Sequence, residues 1–446
     1  MQQRGNFSSK LGVILATAGS AVGLGNIWRF PYEAGSSGGG SFLLLYLLFV
    51  LLLGVPVILA EFVVGRSSQR NASAAFQVLA PNTPWHWVGK MGVLTGLLIN
   101  GFYAVVTGWT FAYLFKSLTG GLMESGVDYQ TLFDKMTSDT WAPIGWMLVV
   151  MLVAHTIIRK GVSGGIERAS KILMPLLLVV MLVLSVHSCM LAGAPEGLKF
   201  LFYPDFSKIT PTVAFRALGQ AFFSLSLGMG CLITYSSYFK QDVDLQRSAL
   251  QIALLDTLVA IIAGIIIFPA VFTFGVEPEA GPGLVFKVLP NVFAQMGYPF
   301  VWSSLFYLLL SIAALTSLIS LHEVVTAYVS ETWHVSRRWA SWSVVGVVSV
   351  LGVFSSLSFG LLKDVQLFGR TFFDWLDFIT SSVFLPLGGM LISIFVAWKL
   401  DRSRLENELA GKGRYAKAVL PFLIFILRYI APVAIFVIFI TSIIGA

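Results

Sequence analysis

Cysteine is nearly missing. The 446 residues hold only Cys189 and Cys231, both in apolar surroundings, which excludes a disulfide framework and a thiolate metal cluster. Histidine is sparse too, and no two of the five have ligand spacing, so His155, His187 and His322 read as bonded helix-end or interior residues. Charge is scarcer than any soluble domain tolerates: Asp, Glu, Lys and Arg make up 11% of the chain against 57% hydrophobic residues, with mean hydropathy +0.83. No nucleophile with an adjacent base stands out, so the chain does not read as an enzyme, and no organic cofactor is implied.

What is present is apolar length. Runs of about 18 or more apolar residues, each enough for a hydrocarbon core of roughly 30 Å, recur throughout. Spans are expected at 11–35, 42–68, 89–118, 142–158, 166–190, 214–239, 247–274, 300–332, 340–358, 371–399 and 418–445. This is an all-α polytopic membrane protein of about eleven transmembrane helices, with no soluble domain left over. The net charge of +7 is a matter of topology and does not imply nucleic acid. Most Lys and Arg, including Arg4, Lys10, Arg66, Arg159, Arg168 and Arg337, fall on one side of the assigned spans, whereas Glu124, Asp128, Asp134 and Asp139 fall on the other. The positive-inside rule then puts the N-terminus in the cytoplasm of a cell (plasma or inner) membrane, and an odd span count puts the C-terminus outside. Arg4 and Lys10 before an apolar stretch suggest a signal peptide, but the run continues through "GLGNIWRFPYEAG" into a second span and is kept in the mature chain. After span seven, the loop between "EAGPG" and "GYP" is expected to carry a short helix folded over the outer face.

Span one contains an anomaly. In "ATAGSAVGLGNIWRFP" glycines cluster with Asn26 at membrane depth, and span six repeats the pattern as "SLSLGMG" from Ser224 to Gly230. Backbone polar groups in the bilayer must be satisfied, so an unwound stretch survives where it lines a site that uses its free carbonyls and amides. Interrupted helices at matching places in two five-span halves signal a 5+5 inverted repeat, 11–190 and 214–399, with 418–445 as an additional eleventh helix of one transporter domain, 1–446. Carbonyl and side-chain oxygens suit a hard cation such as Na+, and half-helix amides suit a carboxylate. A zwitterionic amino acid taken up with sodium satisfies both, with lipid as the surrounding partner and oligomeric state left open.

The chain resembles the neurotransmitter:sodium symporter family, which has the fold of the bacterial leucine transporter. The likeness rests on "AGSAVGLGNIWRFPYEAGSSGGGSF", "GVPVILAEFVVGR", "YAVVTGWTFAYLF", "GGIERASKILMP", "GQAFFSLSLGMGCLITYSSYF" and "AALTSLISL". The resemblance implies two Na+ ions. The first would be held by carbonyls of Ala21 and Ser224, the side chains of Asn26, Ser224 and Asp256, and the substrate carboxylate. The second would use carbonyls of Gly19, Val22 and Ala313 with the hydroxyls of Thr316 and Ser317. It also implies a substrate site of Ala21, Gly25, Ile99, Tyr103, Phe223, Ser226, Met229, Ser317 and Leu321, in which Tyr103 bonds the carboxylate and Phe223 covers the pocket. The implied outer gate is Arg29 with Asp377, Asp374 being the adjacent candidate; the inner gate is Arg4 with Glu331, near Tyr238 and Phe7. Gly165 and Pro175 would open a cytoplasmic release path for the second ion.

Departures sharpen the expectation. Asp256 stands where relatives commonly have asparagine, and Ala260, one turn on, offers neither the anion-binding hydroxyl nor the carboxylate familiar there. Asp256 is therefore expected to ligate sodium and to replace the chloride that eukaryotic relatives bind near residues matching Tyr46, Gln220 and Ser224. Gly23 occupies the position where monoamine carriers place an aspartate, which favours amino acids over amines. Apolar walls and Gly-Met-Gly at 228–230 are similar to bacterial carriers for bulky hydrophobic and aromatic amino acids, including the multi-hydrophobic amino acid and tyrosine transporters. The expected function is sodium-coupled symport; a non-transporting amino-acid sensor on the same fold is the alternative.

Overall fold

The computed structural model describes residues 5–124, 126–275, 282–409 and 415–444. The described residues are helical with no strand; a lone bridge joins Leu367 and Arg370. Among the described residues, eight helices are long and apolar enough to cross a membrane, and up to ten if each bent pair counts as one span. Span one is such a pair, Lys10–Ala21 and Gly25–Ser36, bent by 57° at the glycine-rich break. Span four, Ala142–Ile158, follows the short helix Tyr129–Ser138 at a 75° bend. Span six is interrupted most widely, running Pro211–Ser224 and then Cys231–Ser236.

Helix ends follow local chemistry. Ser9 accepts from the Gly12 N–H at 3.0 Å to start span one, and Asp244 accepts from Arg247 N–H at 3.0 Å to start span seven. Thr371 and Asp374 form a reciprocal capping box at the start of span ten, so Asp374, the second outer-gate candidate, is engaged in holding a helix end.

Span eight is the centre of the bundle: 83% of its apolar window is buried, against 33% for spans five and eleven at the periphery. It packs along span three, where Ser117 and Ser303 hydroxyls meet at 2.6 Å, and it is tied to spans four and nine through Ser341, whose hydroxyl lies 2.9 Å from His155 Nδ1 and 2.8 Å from His322 Nε2. Both histidines are buried and bonded, as the sequence suggested. In lipid the helices gain little from apolar burial against one another, so close packing and such interhelical hydrogen bonds set the arrangement.

The expected short helix after span seven is present as Leu284–Ala294. Its Phe286 stacks on Phe133 at 5.2 Å, meets Tyr113 at 4.9 Å and touches Trp28 at 6.3 Å, while Tyr307 donates to the Val285 carbonyl at 2.8 Å. The "EAGPG" before it includes positions outside the described residues.

At the face bearing the N-terminus, Phe7 is buried among Tyr235, Tyr238 and Phe239. The adjacent serines are held by Glu167, at the end of the π-helical turn Val162–Glu167 that opens span five. Its carboxylate accepts from Ser8 N–H at 2.7 Å, Ser8 Oγ at 2.7 Å and Ser9 Oγ at 2.9 Å, and pairs with Lys171 at 2.7 Å. Gly165 lies inside that turn, and an added Cβ would overlap the Ile157 carbonyl oxygen; Pro175 sits ten residues further on, inside the helix. Glu167→Ala is expected to release residues 8–12 from span five. Losing several bonds to one charged acceptor, each worth about 1.5 kcal/mol or more, predicts a rise of at least tenfold in their amide hydrogen exchange. Unchanged protection would show that Phe7 alone holds the segment.

Candidate functional site

The two helix breaks face each other. In span one, Asn26 folds its side chain back so that Oδ1 accepts from Gly23 N–H at 2.9 Å. In span six, Ser226, Gly228 and Gly230 all take positive φ, at 55°, 83° and 76°, a combination that no regular helix accommodates. Gly228 is also pressed against span ten: a Cβ there would lie 2.8 Å from Gly389 N. The unwound strands are stitched together by Ser226 Oγ donating to the Ser20 carbonyl at 3.1 Å and by Gln220 Nε2 donating to the Gly25 carbonyl at 2.9 Å.

Between the breaks sits a buried polar cluster. Asp256, fully enclosed in span seven, accepts from Asn26 Nδ2 at 2.8 Å and from Ser224 Oγ at 2.6 Å, with the Tyr46 hydroxyl at 3.4 Å. The side chains implied for a first ion, those of Asn26, Ser224 and Asp256, thus meet at one point, with Tyr46 beside them. A second group lies between spans one and eight. Ser317 Oγ donates to the Val22 carbonyl at 3.1 Å, Thr316 Oγ1 to the Ala313 carbonyl at 3.0 Å, and Gly19 faces Thr316, a Cβ there falling 3.5 Å from the Thr316 Cβ. The same Gly19 position borders Met174, so span five abuts this group next to Pro175.

All nine residues implied for the substrate line one cavity of about 60 Å³, together with Ser20, Gly23, Leu24, Phe102, Ser224, Ser320 and Ser381. The Tyr103 hydroxyl accepts from Leu24 N–H at 3.4 Å and points at the break in span one. Phe223 is part of the lining, and the Arg29 guanidinium lies 4.3 Å above its ring.

The two residues of the implied outer gate each take a partner on their own span. Arg29 pairs with Glu33, four residues on along its own helix, at 3.8 Å, while Asp377 accepts from Ser381 Oγ at 2.8 Å; no Arg29–Asp377 ion pair forms among the described residues. Glu331 accepts from Asn71 N–H at 3.0 Å and Nδ2 at 2.9 Å, and Arg4 lies outside the described residues. Tyr238 donates to Glu323 at 2.7 Å, and Glu323 pairs with Arg337 at 2.6 Å, which joins spans six, eight and nine at the N-terminal face.

Two intramembrane carboxylates escaped the sequence reading. Besides Glu323, Glu61 of span two is fully buried and accepts from Gly228 N–H at 2.7 Å, supporting the unwound loop of span six. The signal was available, since a carboxylate inside "GVPVILAEFVVG" is expensive enough to imply a partner.

A helical bundle whose two interrupted helices converge on a cluster of buried oxygen-bearing groups beside a cavity defines a secondary transporter. Comparison with known proteins agrees. The model of the sodium:neurotransmitter symporter family matches residues 4–131 and 129–446. The chain is 40% identical to the uncharacterized sodium-dependent transporter YhdH of Bacillus subtilis (strain 168), over 98% of this chain and 97% of that protein. It is 35% identical to an uncharacterized sodium-dependent transporter of Haemophilus influenzae, over 99% and 98%. Among solved structures, MhsT in complex with L-phenylalanine superposes with a TM-score of 0.90 at 46% identity, covering 99% of this chain and 100% of that one. The chain belongs to the sodium:neurotransmitter symporter family and is a sodium-coupled, multi-pass membrane transporter.

Proposed function

We propose that the protein imports hydrophobic and aromatic L-amino acids together with two Na+ ions, by alternating access and without chloride. The observation that carries this reading is Asp256 held by Asn26, Ser224 and Tyr46 directly beside the unwound segments, where on this reading its carboxylate supplies the negative charge that chloride gives other carriers. L-phenylalanine bound to MhsT supports the substrate class.

The first Na+ binds among Asp256, Ser224, Asn26 and the Ala21 carbonyl. The Asn26 amide now turns Nδ2 toward Ser224 and Asp256, so ligation requires a half-turn that presents Oδ1 instead. That turn releases Gly23 N–H, which becomes a donor for the substrate carboxylate alongside Tyr103. The second Na+ binds among Gly19, Val22, Ala313, Thr316 and Ser317 and crosslinks spans one and eight. Arg29 and Asp377 close the outer path, Arg4, Glu331 and Tyr238 the inner one, and Gly165 with Pro175 lets span five open toward the second ion. Residues 11–190 and 214–399 are the two rocking halves, with the N-terminus cytoplasmic and the C-terminus external, in agreement with the charge bias.

The test is equilibrium binding of radiolabelled leucine to the purified protein in gluconate buffer. Affinity should rise with Na+ and be unchanged when chloride replaces gluconate. A strict chloride requirement would remove the role given to Asp256.

A further inference from the structure

The cavity is not lined by apolar groups alone. Its sides are Ile99, Met229 and Leu321, but two buried serines, Ser20 and Ser320, also line it. Membrane-embedded hydroxyls usually bend back to their own helix, as Thr95 does to Met91, Thr107 to Tyr103 and Ser393 to Gly389. Ser20 does not. Its hydroxyl is 2% exposed by residue and has no hydrogen-bond partner beyond a weak approach by the Cys231 thiol. Ser320 donates to the Ser317 carbonyl at 2.8 Å, which uses its proton and leaves its oxygen to accept, at a place where the Cys231 thiol also approaches it. The Ser20 backbone is pinned, because its carbonyl receives the Ser226 hydroxyl at 3.1 Å. A hydroxyl held in place, buried and unsatisfied at the edge of a binding cavity is a group waiting for a polar partner.

We infer that Ser20 and Ser320 recognise the polar atom of an aromatic substrate side chain, so that the carrier prefers tyrosine and tryptophan over phenylalanine and leucine. This rests on the amino-acid symport proposed above and specifies its substrate. A phenol fits the pair best: it donates its proton to Ser320 Oγ and accepts from Ser20 Oγ. An indole N–H can only donate, and Ser320 is its acceptor. Phenylalanine and leucine occupy the same apolar walls but offer no polar atom to either serine, whereas an indole leaves only Ser20 without one. Discrimination of this kind comes from what the wrong ligand leaves unpaired as much as from what the right one gains. Met229, unbranched and adaptable, closes over either ring.

The experiment is competition against sodium-dependent radiolabelled leucine binding by tyrosine, phenylalanine and 4-methylphenylalanine, the last matching tyrosine in shape without the hydroxyl. The wild type is expected to bind tyrosine about tenfold more tightly than either analogue, the effect of one well-made buried hydrogen bond. Ser320→Ala, which removes the acceptor of the phenol proton, should bring that ratio close to one, and Ser20→Ala should lower it. Equal or reversed affinity for tyrosine and 4-methylphenylalanine in the wild type overturns the inference, and that arm needs no variant to fold. A tenfold ratio that persists in both variants overturns it as well. If the wild type instead shows no sodium-dependent binding of any of these amino acids, it is the amino-acid symport that fails.

Discussion

Asp256→Ala is expected to lower sodium-dependent substrate binding by at least about 100-fold, measured as leucine bound at a fixed Na+ concentration. Three groups converge on this carboxylate: Asn26 Nδ2 at 2.8 Å, Ser224 Oγ at 2.6 Å and Tyr46 OH at 3.4 Å. The substitution removes the acceptor for all of them in a fully buried place, and it removes the charge that would neutralise a bound cation. Leaving a buried cation without its charged partner costs about 3–5 kcal/mol, and a 100-fold loss needs only about 2.8 kcal/mol, so the missing charge alone accounts for an effect of this size. Asp256→Asn separates the contributions. It keeps the shape and leaves the charge out, so it should retain weak binding that chloride improves. A merely structural carboxylate would behave otherwise: both variants would lose thermal stability, and the stabilisation of the folded protein by added Na+ would persist in them.

Gly23→Ala should be nearly as damaging, for steric reasons. An added Cβ would lie 2.5 Å from Ser317 Oγ, 3.4 Å from Ser317 Cβ and 3.2 Å from the Tyr103 hydroxyl. Those two side chains bracket the break in span one: Ser317 donates to Val22, and Tyr103 accepts from Leu24. Neither is a flexible side chain that can swing aside within a closely packed bundle. Overpacking of this kind is worth about 1–3 kcal/mol, and here it falls on groups assigned to both the substrate and the second ion. Leucine affinity should drop roughly 5- to 150-fold with the folded fraction unchanged. Wild-type affinity in Gly23→Ala would mean that the break opens away from span eight during binding and that Gly23 does not set the pocket's shape.

Much of this was legible in the sequence because it depends on local pattern. Apolar length placed the spans, and glycines beside Asn26 and Ser224 marked the breaks that the bent and interrupted helices display. The meeting of Asn26, Ser224 and Asp256 followed from the family resemblance alone; spacing along three separate spans carries no such information. Contacts set by the relative placement of helices were less accessible. Arg29 takes Glu33, an i,i+4 neighbour within reach in any helix, whereas a pairing with Asp377 depends on how close spans one and ten approach. Glu61, Glu167 and Glu323 were visible as carboxylates in or beside apolar runs, but their partners Gly228, Ser8 and Arg337 sit on other segments whose placement composition does not encode. Ser20 was read only as part of the helix break. Its place in the cavity lining depends on which face of span one turns toward span eight.

Uptake into proteoliposomes tests the central claim most directly. Purified protein, reconstituted in chloride-free gluconate medium, is given radiolabelled leucine or tyrosine with and without an inward Na+ gradient. Accumulation above the external concentration that collapses when the gradient is removed is the predicted result. Sodium-dependent binding with no accumulation would contradict it and identify the protein as a sensor on a transporter's fold.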